Sequence, residues 1–323
     1  MSRVAAIDCG TNSIRLLIAD LNSDRHLTDV HREMRIVRLG EGVDATGSFG
    51  APALARTRAA LEDYAALLQA HSVPTVRMVA TSATRDAANR DEFFAMTAEV
   101  LGAAVPGAIA EVITGTEEAE LSFQGAIGEL DSAAAPFVVV DLGGGSTEVV
   151  LGSPDVDGAA PAATTGLASH SANIGCVRLT ERCLKSDPPT AAEIADARAV
   201  VRDGLAAAFD AVPVERARTW VGVAGTMTTL SALAMNLAVY DSELIHLSRV
   251  GFDDLLKVCD GLLAMTRRQR AALGPMHEGR VDVIGGGAIV VEELARALGE
   301  RAGIAELVVS EHDILDGIAL SIG

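Results

Sequence analysis

Aromatic residues make up only 3% of this chain, with 1 tryptophan and 2 tyrosines, too few for the stacking platforms that hold single-stranded nucleic acid. Positive charge is also short. Against 26 Lys and Arg stand 44 Asp and Glu, a formal net charge of −18, so the surface as a whole repels polyanions. The 4 cysteines, Cys9, Cys176, Cys183 and Cys259, form no C-x-x-C pair and have no histidine at zinc-finger spacing. That argues against a disulfide framework and fits reduced thiols in a cytoplasmic protein. No apolar run approaches the roughly 20 residues of a membrane helix, and no basic-then-apolar leader precedes the first apolar segment, so neither a membrane span nor secretion is expected. G-K-[ST] and G-x-G-x-x-G are both missing, which leaves P-loop and dinucleotide folds without their signatures.

What the chain has is repetition. VAAIDCGTNSIRLLI (Val4 to Ile18) and FVVVDLGGGSTEVVL (Phe137 to Leu151) align without a gap at an offset of 133 residues. Asp8 falls on Asp141, Gly10 on Gly143 and Ser13 on Ser146. Each copy reads as an apolar strand, a sharp D-x-G-x-x-S turn and a second apolar strand, which is a hairpin. Glycine lets backbone N–H groups approach an anion closely, and successive N–H groups in a turn form an anion-binding nest. An aspartate before such a turn repels bare phosphate but holds Mg²⁺ or its water. A lone D-x-G turn is usually only a turn; two in the same strand context, one with three consecutive glycines, point to two loops gripping a phosphate chain with a metal between them. Glu148 fills the slot of Arg15, so one loop would bring positive charge to phosphate and the other negative charge to a metal.

The length of 323 residues favours two domains. After the first hairpin, Leu27 to Val37 reads as strand, Gly40 to Gly50 as a loop, and Pro52 opens a helix through Leu68. Thr75 to Ala80 is a strand running into a polar loop, TSATRDA; Asn89 or Asp91 caps a helix ending near Gly102; Ile109 to Ile113 is a strand, and Thr116 caps a helix from Glu117. The second copy opens a unit of the same kind, with strands at Phe137 to Val140, Thr147 to Leu151 and Ala162 to Leu167. Helices are expected at Ser171 to Cys183 and Ala191 to Phe209, and further strands at Trp220 to Val223 and Val281 to Ile284. Leu307 to Ile318 reads as strand then helix, returning to the first unit. Gly128 to Pro136 is the only seam. The domains expected are 1–128 with 308–323, and 129–307.

Several side chains could carry chemistry. Glu117 and Glu118 begin a helix, where the dipole favours an ionised carboxylate; the bland alternative is a common acidic first turn. Arg85 is a lone arginine in a small loop, suited to bidentate phosphate binding or to nothing more than a surface role. Ser13, Ser146 and Thr147 could donate to phosphate or merely close their turns. Gly225 and Gly285 to Gly287 precede helices, as anion sites or tight turns do. Any phosphate-rich substrate would need a local basic track, for which Arg15, Arg32, Arg35, Arg38, Arg85 and Arg178 are candidates, while the RRQR run (Arg267, Arg268, Arg270) reads as a solvated face.

In order along the chain, IDCGTNSIRLLI, ATSATRDA, ITGTEEAEL and VVVDLGGGSTEVVLG together resemble the exopolyphosphatase and guanosine pentaphosphate phosphohydrolase family, within the actin, sugar-kinase and heat-shock-protein superfamily. NIGCVRLTERCL, VAGTMTTLSALA, RVDVIGGGAIVVEEL and SEHDILDGIAL look like its later segments, so the resemblance covers essentially the whole chain. It implies an α/β fold of two actin-like, ribonuclease-H-like lobes with the active site in the cleft between them. It implies Glu118 as general base and Arg85 as phosphate clamp, with Asp141 also catalytic. Asp8, Asp141 and Glu148 would hold Mg²⁺ or another divalent cation. Thr11, Asn12, Ser13, Arg15, Gly143, Gly144, Gly145, Ser146 and Thr147 would bind phosphate. The first loop reads D-C-G-T-N-S where D-x-G-S-N-S is commoner, and Thr11 keeps the hydroxyl. Long relatives carry a further C-terminal helical domain that this chain lacks, so processive threading of very long chains is not carried over. The resemblance implies hydrolysis of the terminal phosphoanhydride bond of inorganic polyphosphate, with guanosine pentaphosphate as the alternative substrate. A kinase or nucleotide-binding regulator of the same superfamily is a third reading. The partner expected is a polyphosphorylated small molecule, with no nucleic acid polymer and no membrane, in a chain that could pair as a homodimer.

Overall fold

The computed structural model describes residues 2–154 and 167–322, and the chain divides into two compact units, Met1–Gly125 with Ile314–Gly323, and Ala126–Asp313. In the first unit lie strands β1 (Ser2–Cys9), β2 (Ser13–Leu21), β3 (Leu27–Ile36), β4 (Thr75–Ala80) and β5 (Ala110–Val112). Its helices are a single turn α1 (Val43–Thr46), then α2 (Ala51–Ala70), α3 (Ser82–Asp86), α4 (Arg90–Ala104) and α5 (Gly115–Ile127), the last running on into the second unit. The sheet order is β3-β2-β1-β4-β5, antiparallel from β3 to β1 and parallel from β1 to β5.

Strand β1 explains its own position. From Val4 to Cys9 every residue is buried, the mark of a central strand covered on both faces. Successive side chains point to opposite faces, so Ala5, Ile7 and Cys9 join Leu61, Tyr64, Phe93 and Leu101 from α2 and α4. Val4 and Ala6 join Leu121, Ile314, Leu315 and Ile318 on the other side.

The second unit holds β6 (Phe137–Leu142), β7 (Thr147–Gly152), β8 (Ala168–Ala172), β9 (Thr219–Val223), β10 (Ser248–Gly251) and β11 (Glu306–Val309). Its helices are α6 (Cys176–Cys183), α7 (Ala191–Ala211), α8 (Ala224–Ala234), α9 (Ser242–Ile245), α10 (Phe252–Ala264), α11 (Arg267–Arg270) and α12 (Ile284–Ala302). The sheet runs β10-β11-β9-β6-β7-β8. Leave out β10 and β11-β9-β6-β7-β8 repeats the first sheet's plan, so the duplication read from two short motifs extends to whole sheets.

Helix α13 (Ile314–Leu320) closes the first unit. A Cβ on Gly317 would stand 2.0 Å from the Leu121 carbonyl, so only glycine lets α13 lie this close to α5. The return to the first unit comes at Ile314 rather than 308, because β11 is hydrogen-bonded between β9 and β10.

Three expectations need correction. The polar stretch expected to start a helix at Ser171 is the edge strand β8, and the helix begins at Cys176. Val281 to Val283 is not a strand but a turn feeding α12. The cap of α5 is Thr114, whose Oγ1 accepts the Glu117 N–H at 3.1 Å, so the helix starts at Gly115. The strand expected at Ala162 to Leu167 falls on 162–166, outside the described residues. No helix among the described residues is long and apolar enough to cross a membrane.

Candidate active site

In the first unit the β1–β2 register places Asp8 opposite Arg15. Arg15 donates to Asp8 Oδ2 from Nε at 2.9 Å and from Nη2 at 2.7 Å, so the arginine expected to face phosphate is engaged by the aspartate expected to face metal. The turn closes with Gly10 N–H donating to the Ser13 carbonyl at 3.0 Å. Behind it, the Thr11 carbonyl accepts from Gly40, and that of Asn12 from Val37 and Arg38. Thr11 Oγ1 is buried without a hydrogen-bond partner among the described residues. Burial, and secondarily the Asp8 charge, push the Cys9 thiol far up, which removes it as a nucleophile.

Glu118 sits in the first turn of α5 and is buried. Arg85 is not in a loop as expected but in the last turn of the short α3. Its Nη1 donates to Glu118 Oε2 at 2.6 Å and to the Ile113 carbonyl at 3.1 Å. A strand end, a helix start and one guanidinium thus fix the carboxylate. Glu117 points elsewhere, pairing with Arg77 at 2.6 Å on a half-exposed face.

The second unit repeats the turn with different charges. Asp141 lies opposite Glu148, the positions of Asp8 and Arg15. Gly143 N–H donates to the Ser146 carbonyl at 3.0 Å, the same closing bond. Again the loop is held from behind, the Gly143 carbonyl by Cys176 N–H and the Gly144 carbonyl by those of Val177 and Arg178. A Cβ on Gly175 would stand 2.3 Å from the Gly144 carbonyl oxygen and 2.5 Å from the Gly145 nitrogen, so glycine is what lets the start of α6 lie against the turn. Asp141, Ser146, Thr147 and Glu148 are all buried. Thr147 drops from the phosphate set: its hydroxyl donates to the Ile174 carbonyl and the residue is sealed from solvent. Ser171, which nothing in the sequence singled out, faces Glu148 across β7–β8 and donates to its Oε1 at 2.6 Å. Cys176 has its thiol pushed up to about 11, chiefly by burial.

The basic track loses two members. Arg32 is bound by Asp29 at 2.7 Å and by Asp316 at 3.2 Å, and Arg35 by Glu33 and Asp63. Both guanidinium groups, on β3, are thus engaged by carboxylates.

The sequence profile of the Ppx/GppA phosphatase family matches residues 17–322. Exopolyphosphatase 2 of Mycobacterium tuberculosis is 69% identical over 325 residues, covering 100% of this chain and 99% of that protein. The bifunctional 3-dehydroquinate synthase/phosphatase of Fusobacterium nucleatum is 31% identical, over 98% of this chain and 46% of its own length. Among solved structures, an exopolyphosphatase-like protein shares 45% identity at a TM-score of 0.91, over 99% of this chain and 98% of that one. The Ppx/GppA protein of Aquifex aeolicus shares 28% identity at a TM-score of 0.76, over 99% and 97%.

Proposed function

Given that the chain belongs to the Ppx/GppA phosphatase family, we propose that it is an exopolyphosphatase, releasing orthophosphate from the end of inorganic polyphosphate with help from a divalent cation, Mg²⁺ first among them. The observation that carries the reading is the buried Glu118, held at the start of α5 by Arg85. A buried carboxylate held in this way would take the proton of the attacking water, as a general base does. The water oxygen bonds to the terminal phosphorus, the bridging P–O bond breaks, and the water's proton passes to Glu118. Orthophosphate leaves, and the chain is shorter by one phosphate. Arg85 offers its remaining N–H groups to the charge that spreads over the equatorial oxygens.

The two turns bind phosphate through backbone amides, since their carbonyls are already held from behind and a turn of successive N–H groups suits an oxyanion. The cation fits the second turn better than the first. Like charges directly opposite on neighbouring strands are destabilising, and Asp141 and Glu148 are buried there as cross-strand partners. In the first turn Arg15 already answers Asp8. Asp141 and Glu148 would hold the cation, with Ser171 fixing the Glu148 carboxylate, and Asp8 would orient Arg15. When bound, the cation supplies neutralisation of phosphate charge.

Phosphate release from polyphosphate, guanosine pentaphosphate and ATP in parallel tests the reading, with a sugar acceptor as control. Polyphosphate should be cleaved fastest, chelator should stop the reaction, and Glu118→Gln should fold normally yet lose on the order of 10²–10⁴-fold in turnover. Faster release from guanosine pentaphosphate would move the substrate assignment. Phosphate transfer to the sugar would replace the hydrolase reading with a kinase.

A further inference from the structure

Three side chains that the proposed reaction does not use converge within the second unit. Glu129 follows α5, His246 follows α9, and His312 lies between β11 and α13. One ligand atom from each lies within 4.8 Å of the others. Glu129 Oε2 is 3.2 Å from His246 Nε2, and its Oε1 is 3.5 Å from His312 Nδ1. The two imidazole rings lie 4.6 Å apart, tilted by 35°. We propose that Glu129, His246 and His312 form a transition-metal site, filled by Zn²⁺ or a cation of similar preference and distinct from the Mg²⁺ site proposed at Asp141 and Glu148.

Spacing carries the first step. A tetrahedral cation about 2.0–2.1 Å from its nitrogen and oxygen ligands holds neighbouring donors roughly 3.3–3.4 Å apart. Glu129 stands near that distance from both rings, through Oε2 to His246 at 3.2 Å and through Oε1 to His312 at 3.5 Å, and one ligand atom from each residue lies within 4.8 Å of the others. Two imidazoles and one carboxylate are a borderline donor set, which selects Zn²⁺, Cu²⁺ or Ni²⁺ over the oxygen-loving Mg²⁺. Glu129 is half exposed and His312 more than a third, so water can complete the coordination. A cation satisfies all three side chains with both rings neutral.

One contact must change on loading. His246 Nδ1 accepts the Glu311 N–H at 3.2 Å, so in the metal-free ring the proton sits on Nε2, facing Glu129. The cation takes the Nε2 lone pair, the ring keeps its single proton on Nδ1, and the Glu311 amide gives up its acceptor. The site would tie together two segments close to where the chain passes between its units, at Ala126 and at Asp313.

The test is titration of Zn²⁺ alone into chelator-stripped, full-length protein in excess Mg²⁺, read by calorimetry and by the backbone ¹⁵N–¹H signals. The wild type should bind one equivalent, with the Glu311 amide among the shifted signals. His246→Ala and His312→Ala should each weaken binding by tenfold or more, as loss of a direct ligand should do at least as much as the 10–100-fold of an outer-shell partner. Glu129→Gln, at an exposed position, should weaken it with no change in fold by circular dichroism. Cys183→Ser, which removes the partly exposed thiol, should leave binding unchanged. No uptake by the wild type, or equal uptake by the variant lacking all three side chains, overturns the site and leaves a cluster held by protons. Polyphosphate turnover in Mg²⁺ is measured separately, so failure here does not touch the reading of Glu118.

Discussion

The two hairpins share a backbone and differ in one charge. β1–β2 and β6–β7 have the same turn, the same closing hydrogen bond of 3.0 Å and the same support from a following segment. In the first, the residue opposite the aspartate is Arg15; in the second it is Glu148. A buried aspartate beside arginine is neutralised within the protein. In the second hairpin, two buried carboxylates stand opposite each other across the strands, the pairing that on the proposed reading would take a divalent cation. One duplicated scaffold thus carries an ion pair in one unit and, on the proposed reading, a cation-binding pair of carboxylates in the other. The lesson is that the charge pattern differs at a single cross-strand position while the turn is kept.

Rewriting that position tests the contrast most severely. Glu148→Arg gives the second hairpin the charge pattern of the first. Turnover should fall about 10²–10³-fold or more, the scale of losing one preorganised electrostatic group, and the residual rate should no longer respond to Mg²⁺. Thermal unfolding should change little, since arginine opposite Asp141 recreates the Asp8–Arg15 arrangement. A variant that kept Mg²⁺-dependent activity would break the assignment of the cation to this hairpin.

The reverse change acts on stability. Arg15→Ala leaves Asp8 buried without its guanidinium. Breaking a fully buried pair costs roughly 3–5 kcal/mol; Arg15 keeps 19% of its side chain in water, so about 2 kcal/mol is expected, read as a lower midpoint in denaturant. Asp8→Asn in the Arg15→Ala background should recover part of that loss, because the uncompensated charge is gone. No recovery would mean that Arg15 matters for packing rather than for the aspartate.

How much of this was legible in the sequence follows from the reach of each signal. The two hairpins could be read because apolar runs and D-x-G turns are local patterns, whereas the choice of Glu118 over Glu117 came only from the family resemblance. The strand orders depend on pairings between distant segments. β8 reads A-S-H-S-A and is half-exposed at a sheet edge, so it lacks the apolar alternation that marks a strand, and Ser171 was lost with it. Val281 to Ile284 has the apolar run of a strand but leads into α12, whose first twelve residues are all buried; short apolar runs do not distinguish the two. That Arg85 meets Glu118 could not be read either, nor could the cluster at Glu129, whose partner His246 lies 117 residues away.

The smallest expected effect separates the turns by steric room. A Cβ on Gly10 would come no closer than 3.6 Å to its nearest neighbour, the Ser13 carbonyl, whereas one on Gly143 would stand 3.2 Å from the Ser146 carbonyl. Neither position has a left-handed backbone, so alanine meets no conformational penalty and gains from a less disordered unfolded chain, by about 0.4–1 kcal/mol where it fits. Gly10→Ala should therefore be neutral or slightly stabilising. In Gly143→Ala the tight carbonyl contact offsets that gain, leaving it about 1 kcal/mol less stable than Gly10→Ala, a difference of a few degrees in Tm. Activity reports something else. If both turns cradle phosphate through their amides, a methyl group on either glycine keeps substrate at a distance, and both variants should need more polyphosphate to reach half-maximal rate. A Gly10→Ala protein that melts like the wild type and binds polyphosphate equally well would show that the first turn has kept the shape of a phosphate loop without its use.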